Sequence, residues 1–227
     1  MFPIKDDNPT RKRPVVTWAL IAINVGVFVG TLLSGTFDQT INDYGVRPAR
    51  VLQGRELHAL LTSMFLHGGI LHILGNMIYL WIFGNNVEDV LGRCKFIIFY
   101  LATGLVATFS FVAVNPTSDI PLIGASGAIS GILGAYILLW PRARVHTAVG
   151  FFYFWTLVAI PAAAVIGFWF VLQLLNMSIV WLVGAGAEIA YMAHIGGFVA
   201  GMMLILPLRA KLGKTRPRVT YTIRYHY

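Results

Sequence analysis

Long apolar runs separated by shorter polar segments are the main pattern along this chain of 227 residues. A helix needs about 20 predominantly apolar residues to cross a bilayer, and six runs approach that length. Their predicted bounds are about Val15 to Gly35, Leu60 to Phe83, Phe96 to Val114, Ser126 to Trp140, Val149 to Leu175 and Ile189 to Leu208. We therefore predict an all-α, polytopic membrane protein with a bundle of six transmembrane helices.

The polar segments divide the chain into three parts. Residues 1–14 form a basic segment, residues 15–208 form the membrane domain, and residues 209–227 form a basic tail. Residues 37–57 mix charged and apolar side chains, so this first loop is suited to lie in the membrane interface.

The composition excludes a soluble protein. Hydrophobic residues make up 57% of the chain and charged residues 11%, whereas soluble domains carry about 25% charged residues. After six spans, the remaining length is too short for a separate soluble domain of ordinary size.

The basic residues are placed as in a membrane protein rather than a nucleic-acid-binding one. The net charge is +8, but Lys and Arg cluster beside the apolar runs, which suits the cytoplasmic side and anionic headgroups. With the N-terminus inside, only Arg47, Arg50 and Arg55 of the seventeen basic residues lie outside. We predict an N-in/C-in topology with the lipid bilayer and no nucleic acid as partner. Because the chain shows no transit peptide, a prokaryotic plasma membrane is expected.

Ser126 lies where a short loop meets an apolar run, between Gly124 and Gly127. The glycines let the backbone turn tightly, so that other groups can approach the hydroxyl. Serine at a helix start is commonly an N-cap. The alternative is a nucleophile whose neighbouring backbone N–H groups stabilise an oxyanion.

Several polar residues are predicted at one depth in the bilayer. From Ser126 to Trp140 a helix is about 22 Å long, which is less than the roughly 30 Å hydrocarbon layer. Ser126 is therefore expected below the outer surface, with the preceding loop lining a cavity. The outer halves of two other runs hold further polar residues, namely His67, His72, Asn76 and His194.

Small residues recur on one face of the fourth run and of the sixth. Ser126, Ser130 and Gly134 are spaced by four, and His194 is followed by glycines after three and seven residues. Such stripes let helices pack closely in lipid, so we expect Gly131, Gly134, Gly197 and Gly201 to be packing residues. Ser126 and His194 would then meet as a nucleophile and its general base. The alternative is packing alone.

His72 and Asn76 share a helix face and can both donate hydrogen bonds toward an oxyanion. Interhelical hydrogen bonding is the alternative for both, and His67 is expected to order the loop that begins at Gly68. No acidic residue is well placed for a triad, since Glu188 is off the face of His194 and Asp119 lies in a loop. We predict a Ser–His dyad without metal or cofactor.

A polar cluster at the inner end of the second run has two interpretations. It is either a solvated turn or a structural brace, and its members are Asn85, Glu88, Asp89 and Arg93.

Four segments, in this order, resemble the rhomboid intramembrane serine proteases. They are LTSMFLHGGILHILGN at 61–76, GNNVEDVLG at 84–92, GASGAISG at 124–131 and AHIGGFVAG at 193–201. The resemblance implies Ser126 as nucleophile and His194 as general base and acid. It implies an oxyanion site of His72, Asn76 and the Ser126 N–H, shaped by Gly124.

The same resemblance implies a six-helix core with a membrane-embedded first loop and transmembrane proteins as substrates. The fifth run, where Pro161 predicts a kink, and a loop at 176–187 would be the gate and cap. Two positions depart from the family. His58 and Ala59 stand where Trp-Arg is frequent, so an arginine brace for the first loop is either missing or supplied from elsewhere, for which Arg55 is a candidate. Ser130 stands where some members place a tyrosine against the histidine.

Two other functions fit the pattern less well. A catalytically silent relative that binds transmembrane helices usually lacks the serine or the histidine, and both are present here. A transporter or channel would carry charges or paired carboxylates within its spans, and apart from Glu188 near a terminus these are absent from the runs.

Overall fold

The computed structural model describes residues 2–151, 154–183 and 190–212. The helices are α1 (Val15–Leu33), α2 (Phe37–Tyr44), α3 (Pro48–Leu52), α4 (Ala59–Thr62), α5 (Ile70–Tyr79), α6 (Asn85–Leu91), α7 (Arg93–Val114), α8 (Ser126–Leu139), α9 (Ala162–Val183) and α10 (Tyr191–Leu212). A 3₁₀ turn (Ser63–Phe65) follows α4, and a π-helical turn (Leu80–Gly84) joins α5 to α6. The strands are β1 (Phe2–Asp6), β2 (Arg144–Phe151) and β3 (Phe154–Pro161).

Five of the described helices are long and apolar enough to cross a membrane. They are α1, the continuous helix α5–α6, α7, α9 and α10. The predicted polytopic helical membrane fold is therefore confirmed. At 14 residues α8 is shorter than these five, and most of its residues are buried within the protein.

Helices α7, α8 and α10 pack against one another, and glycines allow the close approach. A Cβ atom on Gly197 would lie 2.1 Å from the carbonyl oxygen of Gly127, and one on Gly201 would lie 1.9 Å from that of Gly131. On its other side, α8 presents the same Gly131 to Thr103 of α7. Gly134 also faces α10, at the carbonyl oxygen of Phe198. Without side chains in the seam, the backbones of α8 and α10 come into direct contact.

The prediction for the second run is wrong at both ends. The helix begins at Ile70, ten residues later than expected, because Gly68 and Gly69 separate it from the short turns before them. It continues past Phe83 to Leu91 and ends at Gly92, whose φ of +73° is a conformation that favours glycine.

The fifth run is not one kinked helix from Val149 to Leu175. Its first part pairs as an antiparallel hairpin, and β1 adds to it to give the sheet order β1-β2-β3. Along β2, Val145 and Thr147 are buried in alternation, the period of a strand. Pro161 ends β3 instead of kinking a helix, and α9 starts directly after it.

Helix α9 also extends further than predicted. Residues 176–183 are helical, so the expected loop at 176–187 is wrong over its first part. The rest of that loop, Glu188 and most of the basic tail lie outside the described residues.

The first loop is attached to the loop that precedes Ser126. Val46 and Leu122 exchange two backbone hydrogen bonds, of 3.0 and 2.8 Å. Arg47 donates from Nε to the Asp119 carbonyl oxygen at 3.1 Å, and Arg50 lies 3.4 Å from the Asp119 carboxylate. Arg55 is therefore not the brace among the described contacts.

His58 makes a further contact with the first loop. Its ring lies edge-on to Tyr44 at 5.6 Å, and its Nε2 is 3.1 Å from the Asp43 carbonyl oxygen. The histidine that stands at the family's tryptophan position thus connects α4 to α2.

Two members of the inner polar cluster, Glu88 and Asp89, form a structural brace. The buried carboxylate of Glu88 accepts hydrogen bonds from the Val16 N–H at 3.0 Å and from the N–H and hydroxyl of Thr17 at 2.7 and 2.8 Å. These donors belong to the first turn of α1, whose N–H groups have no partner within the helix. Asp89 accepts from the backbone N–H groups of Arg11 and Lys12. The α5–α6 helix therefore holds the start of α1.

Candidate active site

Ser126 is the first residue of α8 and follows a sharply turned loop. Gly124 has a φ of +122°, and its N–H donates to the Ser63 carbonyl oxygen at 2.9 Å. A Cβ atom at Gly124 would lie 2.9 Å from His72 Nε2 and 3.6 Å from Ser126 Oγ. Only glycine satisfies both the backbone conformation and the space between these two side chains.

His194 lies near the start of α10, one turn before Gly197. Its Nε2 is 2.8 Å from Ser126 Oγ, across the seam between α8 and α10. Both residues are half-buried, so the pair is shielded but remains open to one side. A hydroxyl that donates to an imidazole nitrogen is the arrangement from which a serine can be deprotonated.

Gln173 of α9 is a third member of the site that the sequence pattern did not predict. Its Oε1 is 2.9 Å from His194 Nδ1, and its Nε2 donates to the Trp169 carbonyl oxygen at 3.5 Å. An amide oxygen only accepts hydrogen bonds, so His194 carries its proton on Nδ1 and accepts the Ser126 proton at Nε2. The available signal was a glutamine within an apolar run, because polar residues inside a membrane are costly.

His72 is brought to the same place by α5. Its Nδ1 accepts a hydrogen bond from the Gly68 N–H at 3.2 Å, so the neutral ring carries its proton on Nε2. This Nε2–H is directed toward Gly124 and the loop that holds Ser126.

Asn76 lies one helical turn inward from His72 and is buried. Its amide donates to the His72 carbonyl oxygen at 3.1 Å, within the same helix. Among the described contacts it does not reach Ser126, so His72 and Asn76 do not converge on one point in this conformation.

His67 packs behind His72, with the two rings edge-on and 5.1 Å apart. It is buried, and neither ring nitrogen has a hydrogen-bond partner among the described residues. It contacts His72 and lies outside the Ser126–His194 pair, and its ordering of the loop that begins at Gly68 stays a prediction.

The chain has Ser130 in place of a tyrosine that would pack against the histidine, and a different residue supplies an aromatic ring beside His194. Ser130 donates to the Ser126 carbonyl oxygen at 2.6 Å, within α8. The aromatic ring beside His194 comes from Trp169 of α9, at 5.9 Å and an angle of 41°. An aromatic neighbour is therefore present, but a different helix supplies it.

An open cavity of about 290 Å³ reaches the pair. Its lining includes Gly68, His72, Pro121, Ile123, Ser126 and His194. Since one water occupies about 30 Å³ in the liquid, several waters fit beside the Ser126 hydroxyl. Asp119 is held away from the cavity by the two arginines of the first loop. The site combines a serine, an oriented histidine, a second donor and access for water.

The chain is similar to known proteins over most of its length. The family model described as the Rhomboid domain matches residues 54–211. The chain is 30% identical over 210 residues to "Rhomboid protease GluP" of Bacillus subtilis, which covers 89% of this chain and 37% of the relative.

Two plant relatives are similar to a comparable degree. "RHOMBOID-like protein 5" of Arabidopsis thaliana is 28% identical, over 82% of this chain and 56% of the relative. "RHOMBOID-like protein 12, mitochondrial" of the same plant is 29% identical, over 88% and 60%. The chain thus spans only part of each relative. Because relatives include mitochondrial proteins, the comparisons give no support to the predicted prokaryotic plasma membrane.

Proposed function

Because the chain belongs to the rhomboid family, we propose that it is an intramembrane serine endopeptidase. It cleaves peptide bonds within or near the transmembrane segments of membrane-protein substrates. The single observation that carries this proposal is the 2.8 Å hydrogen bond between Ser126 Oγ and His194 Nε2 beside an open cavity.

In the first step, Ser126 Oγ attacks the carbonyl carbon of the scissile peptide bond while His194 Nε2 accepts the hydroxyl proton. Such general base catalysis contributes about 10²- to 10⁴-fold to a rate. His194 then returns the proton to the leaving amine, and the peptide bond breaks to give an acyl-enzyme. A water from the cavity, deprotonated by His194, hydrolyses the acyl-enzyme and restores the Ser126 hydroxyl.

The negative oxygen that forms in each step requires hydrogen-bond donors. The Ser126 N–H is at the first position of α8, where backbone donors have no partner within the helix. The His72 Nε2–H faces the same loop. Asn76 would contribute its second amide proton after a change of its side-chain rotamer. Loss of one such donor typically costs about 10²- to 10³-fold in kcat.

The proposed topology places both termini inside and the cavity toward the outer face, following the distribution of basic residues. Residues 15–208 form the membrane domain between basic terminal segments. A substrate helix enters from the bilayer, and part of it must unwind to present a peptide bond to Ser126, because helical carbonyls are engaged in hydrogen bonds.

The test is cleavage of a model transmembrane substrate in liposomes by the wild type, Ser126→Ala and His194→Ala. We expect cleavage by the wild type and its loss in both variants. A fluorophosphonate probe should label Ser126 in the wild type only. Cleavage that survives in Ser126→Ala would refute the mechanism. Failure of both cleavage and labelling in the wild type would favour a silent, helix-binding relative.

A further inference from the structure

We propose that Gln173 is a positioning residue for His194, so that the proposed reaction requires α9 to be docked against α10. This inference rests on the proposed protease function. Gln173 touches neither the substrate nor Ser126 and acts only through the imidazole of His194.

The tautomer of His194 determines whether it can act as a base toward Ser126. A neutral imidazole can place its proton on either nitrogen, and only the form protonated on Nδ1 can accept the Ser126 proton at Nε2. Gln173 Oε1, 2.9 Å from Nδ1, stabilises this form. It also accepts from Nδ1–H after Nε2 is protonated, so the hydrogen bond persists through proton transfer.

The side-chain amide of Gln173 is oriented by its contacts on both sides. Gln173 is only 7% exposed, and its Nε2 donates within α9 to the Trp169 carbonyl oxygen. The orientation with the oxygen toward His194 satisfies both contacts of the amide. An amide turned by 180° would place a donor against the Nδ1–H and would break both hydrogen bonds.

Aromatic side chains pack α9 against α10 close to His194. Trp169 lies beside His194 and Phe198 at 5.9 and 6.2 Å, and Phe170 stacks on Phe198 at 4.3 Å. Together with Gln173, these rings form one contact face between α9 and α10. The orientation of His194 is therefore linked to the position of a helix that carries neither Ser126 nor His194.

The other polar residues of α9 do not share this role. Asn176 is only partly buried, and Ser178 is exposed and donates to the Leu174 carbonyl oxygen of its own helix. Among the described residues of α9, Gln173 is the buried polar one that reaches the site. Ser178→Ala is therefore a matched control that removes a polar group from α9 without touching His194.

The experiment compares Gln173→Met, Gln173→Glu and Ser178→Ala with the wild type, by kcat, KM and pH profile on a cleaved transmembrane substrate. For Gln173→Met we expect kcat to fall by about 10- to 100-fold with little change in KM, less than the roughly 10⁴-fold that follows replacement of a triad carboxylate. Ser178→Ala should behave as the wild type.

The pH profile separates positioning from packing. The groups that face His194 are Ser126 from α8, His72 from α5, and Gln173 and Trp169 from α9. A carboxylate in Gln173→Glu keeps the acceptor and favours the imidazolium. We therefore expect near-wild-type kcat and an acid limb of kcat/KM shifted to higher pH. Gln173→Met should move that limb to lower pH, because the imidazolium loses an acceptor.

The outcomes distinguish this inference from the proposed function. If the wild type neither cleaves nor reacts with the fluorophosphonate probe, the proposed function fails. If the wild type cleaves and both Gln173 variants keep its kcat and acid limb, only the positioning role fails. A Gln173→Met variant that does not fold leaves Gln173→Glu as the test, and an unchanged acid limb there refutes the role.

Discussion

The molecule has two partly buried polar clusters, and they differ in whether their titratable groups are occupied by hydrogen bonds within the protein. The outer cluster consists of Ser126, His194, Gln173 and His72. The inner cluster considered with it consists of the brace residues Glu88 and Asp89 together with Asp6 and Asn86. Both lie among apolar helices, where a polar group without a partner is costly.

In the inner cluster, the carboxylates are occupied by donors of the protein itself. Glu88 binds three donors of α1, and Asp89 binds two backbone N–H groups. Asp6 accepts from the Tyr136 hydroxyl and from the Asn86 amide. Such groups join segments that are far apart in the chain, but have little left to offer a ligand.

The outer cluster leaves hydrogen-bonding groups available beside a cavity. His72 Nε2–H and the Ser126 N–H have no protein acceptor among the described contacts, whereas the histidine-to-serine and histidine-to-glutamine bonds are formed. Burial of polar residues in a membrane protein therefore does not itself indicate a reactive site. The unused donors beside a paired serine and histidine do, because an open cavity of about 530 Å³ also lies beside Glu88 and Asp89, whose carboxylates are already hydrogen-bonded.

Removal of the Glu88 carboxylate should lower the stability of the protein more than the other changes proposed below. Three donors of α1 lose their acceptor, and a buried donor left without a partner typically costs about 1–3 kcal/mol. We expect Glu88→Ala to lower the thermal unfolding midpoint in detergent sharply, because the N-terminus of α1 loses its acceptors. Asp43→Ala, at an exposed acidic residue of α2, should leave the midpoint nearly unchanged. A stable Glu88→Ala protein that has lost only its activity would contradict the comparison.

A methyl group added between α8 and α10 should disturb the outer cluster, because these two helices carry Ser126 and His194. A Cβ atom on Gly201 would lie 1.9 Å from the Gly131 carbonyl oxygen, and overpacking typically costs about 1–3 kcal/mol. We expect Gly201→Ala to lower both stability and cleavage, since α10 must move away from α8 and carries His194 with it. Gly75→Ala, where the added Cβ has open space, is the matched control. Equal effects of the two changes on stability and cleavage would refute a role for the seam.

Replacement of Asp6 should have the smallest effect, which is a change in how the free energy of unfolding depends on pH. Burial raises the pKa of Asp6 from 3.8 to about 6, against the opposing effect of the Tyr136 hydrogen bond. Because the folded pKa lies above the unfolded one, the protonated carboxyl favours folding. This contribution is complete below about pH 4 and is lost as the pH rises through 6.

A shift of this size corresponds to at most about 3 kcal/mol, at 1.36 kcal/mol per pKa unit. Thermal unfolding at pH 4.5 and 7.5 should therefore show a smaller difference for Asp6→Asn than for the wild type. The exposed Asp43→Asn variant should keep the wild-type difference. If Asp6→Asn keeps it as well, the carboxyl of Asp6 is not the group responsible.

Much of the arrangement could be predicted because its signals are local. Hydropathy located helices α1, α7 and α10 closely, because each is bounded by polar residues or glycine. The second helix was placed less well, since its inner turn carries Glu88 and Asp89 and looks like a solvated loop until α1 covers it. The β2–β3 hairpin was not predicted, because a run of apolar residues indicates burial but does not distinguish a strand from a helix.

Local sequence patterns were enough to predict the class of membrane fold, the glycine loop before Ser126 and the small-residue faces that bring Ser126 to His194. These depend on helix period and on the backbone freedom of glycine, both of which are properties of a short segment. Three contacts could be seen only in the folded protein: Gln173 faces His194, Trp169 supplies the aromatic neighbour, and Glu88 caps α1. Such contacts depend on the rotation and depth of one helix against another, which packing sets and no single segment encodes.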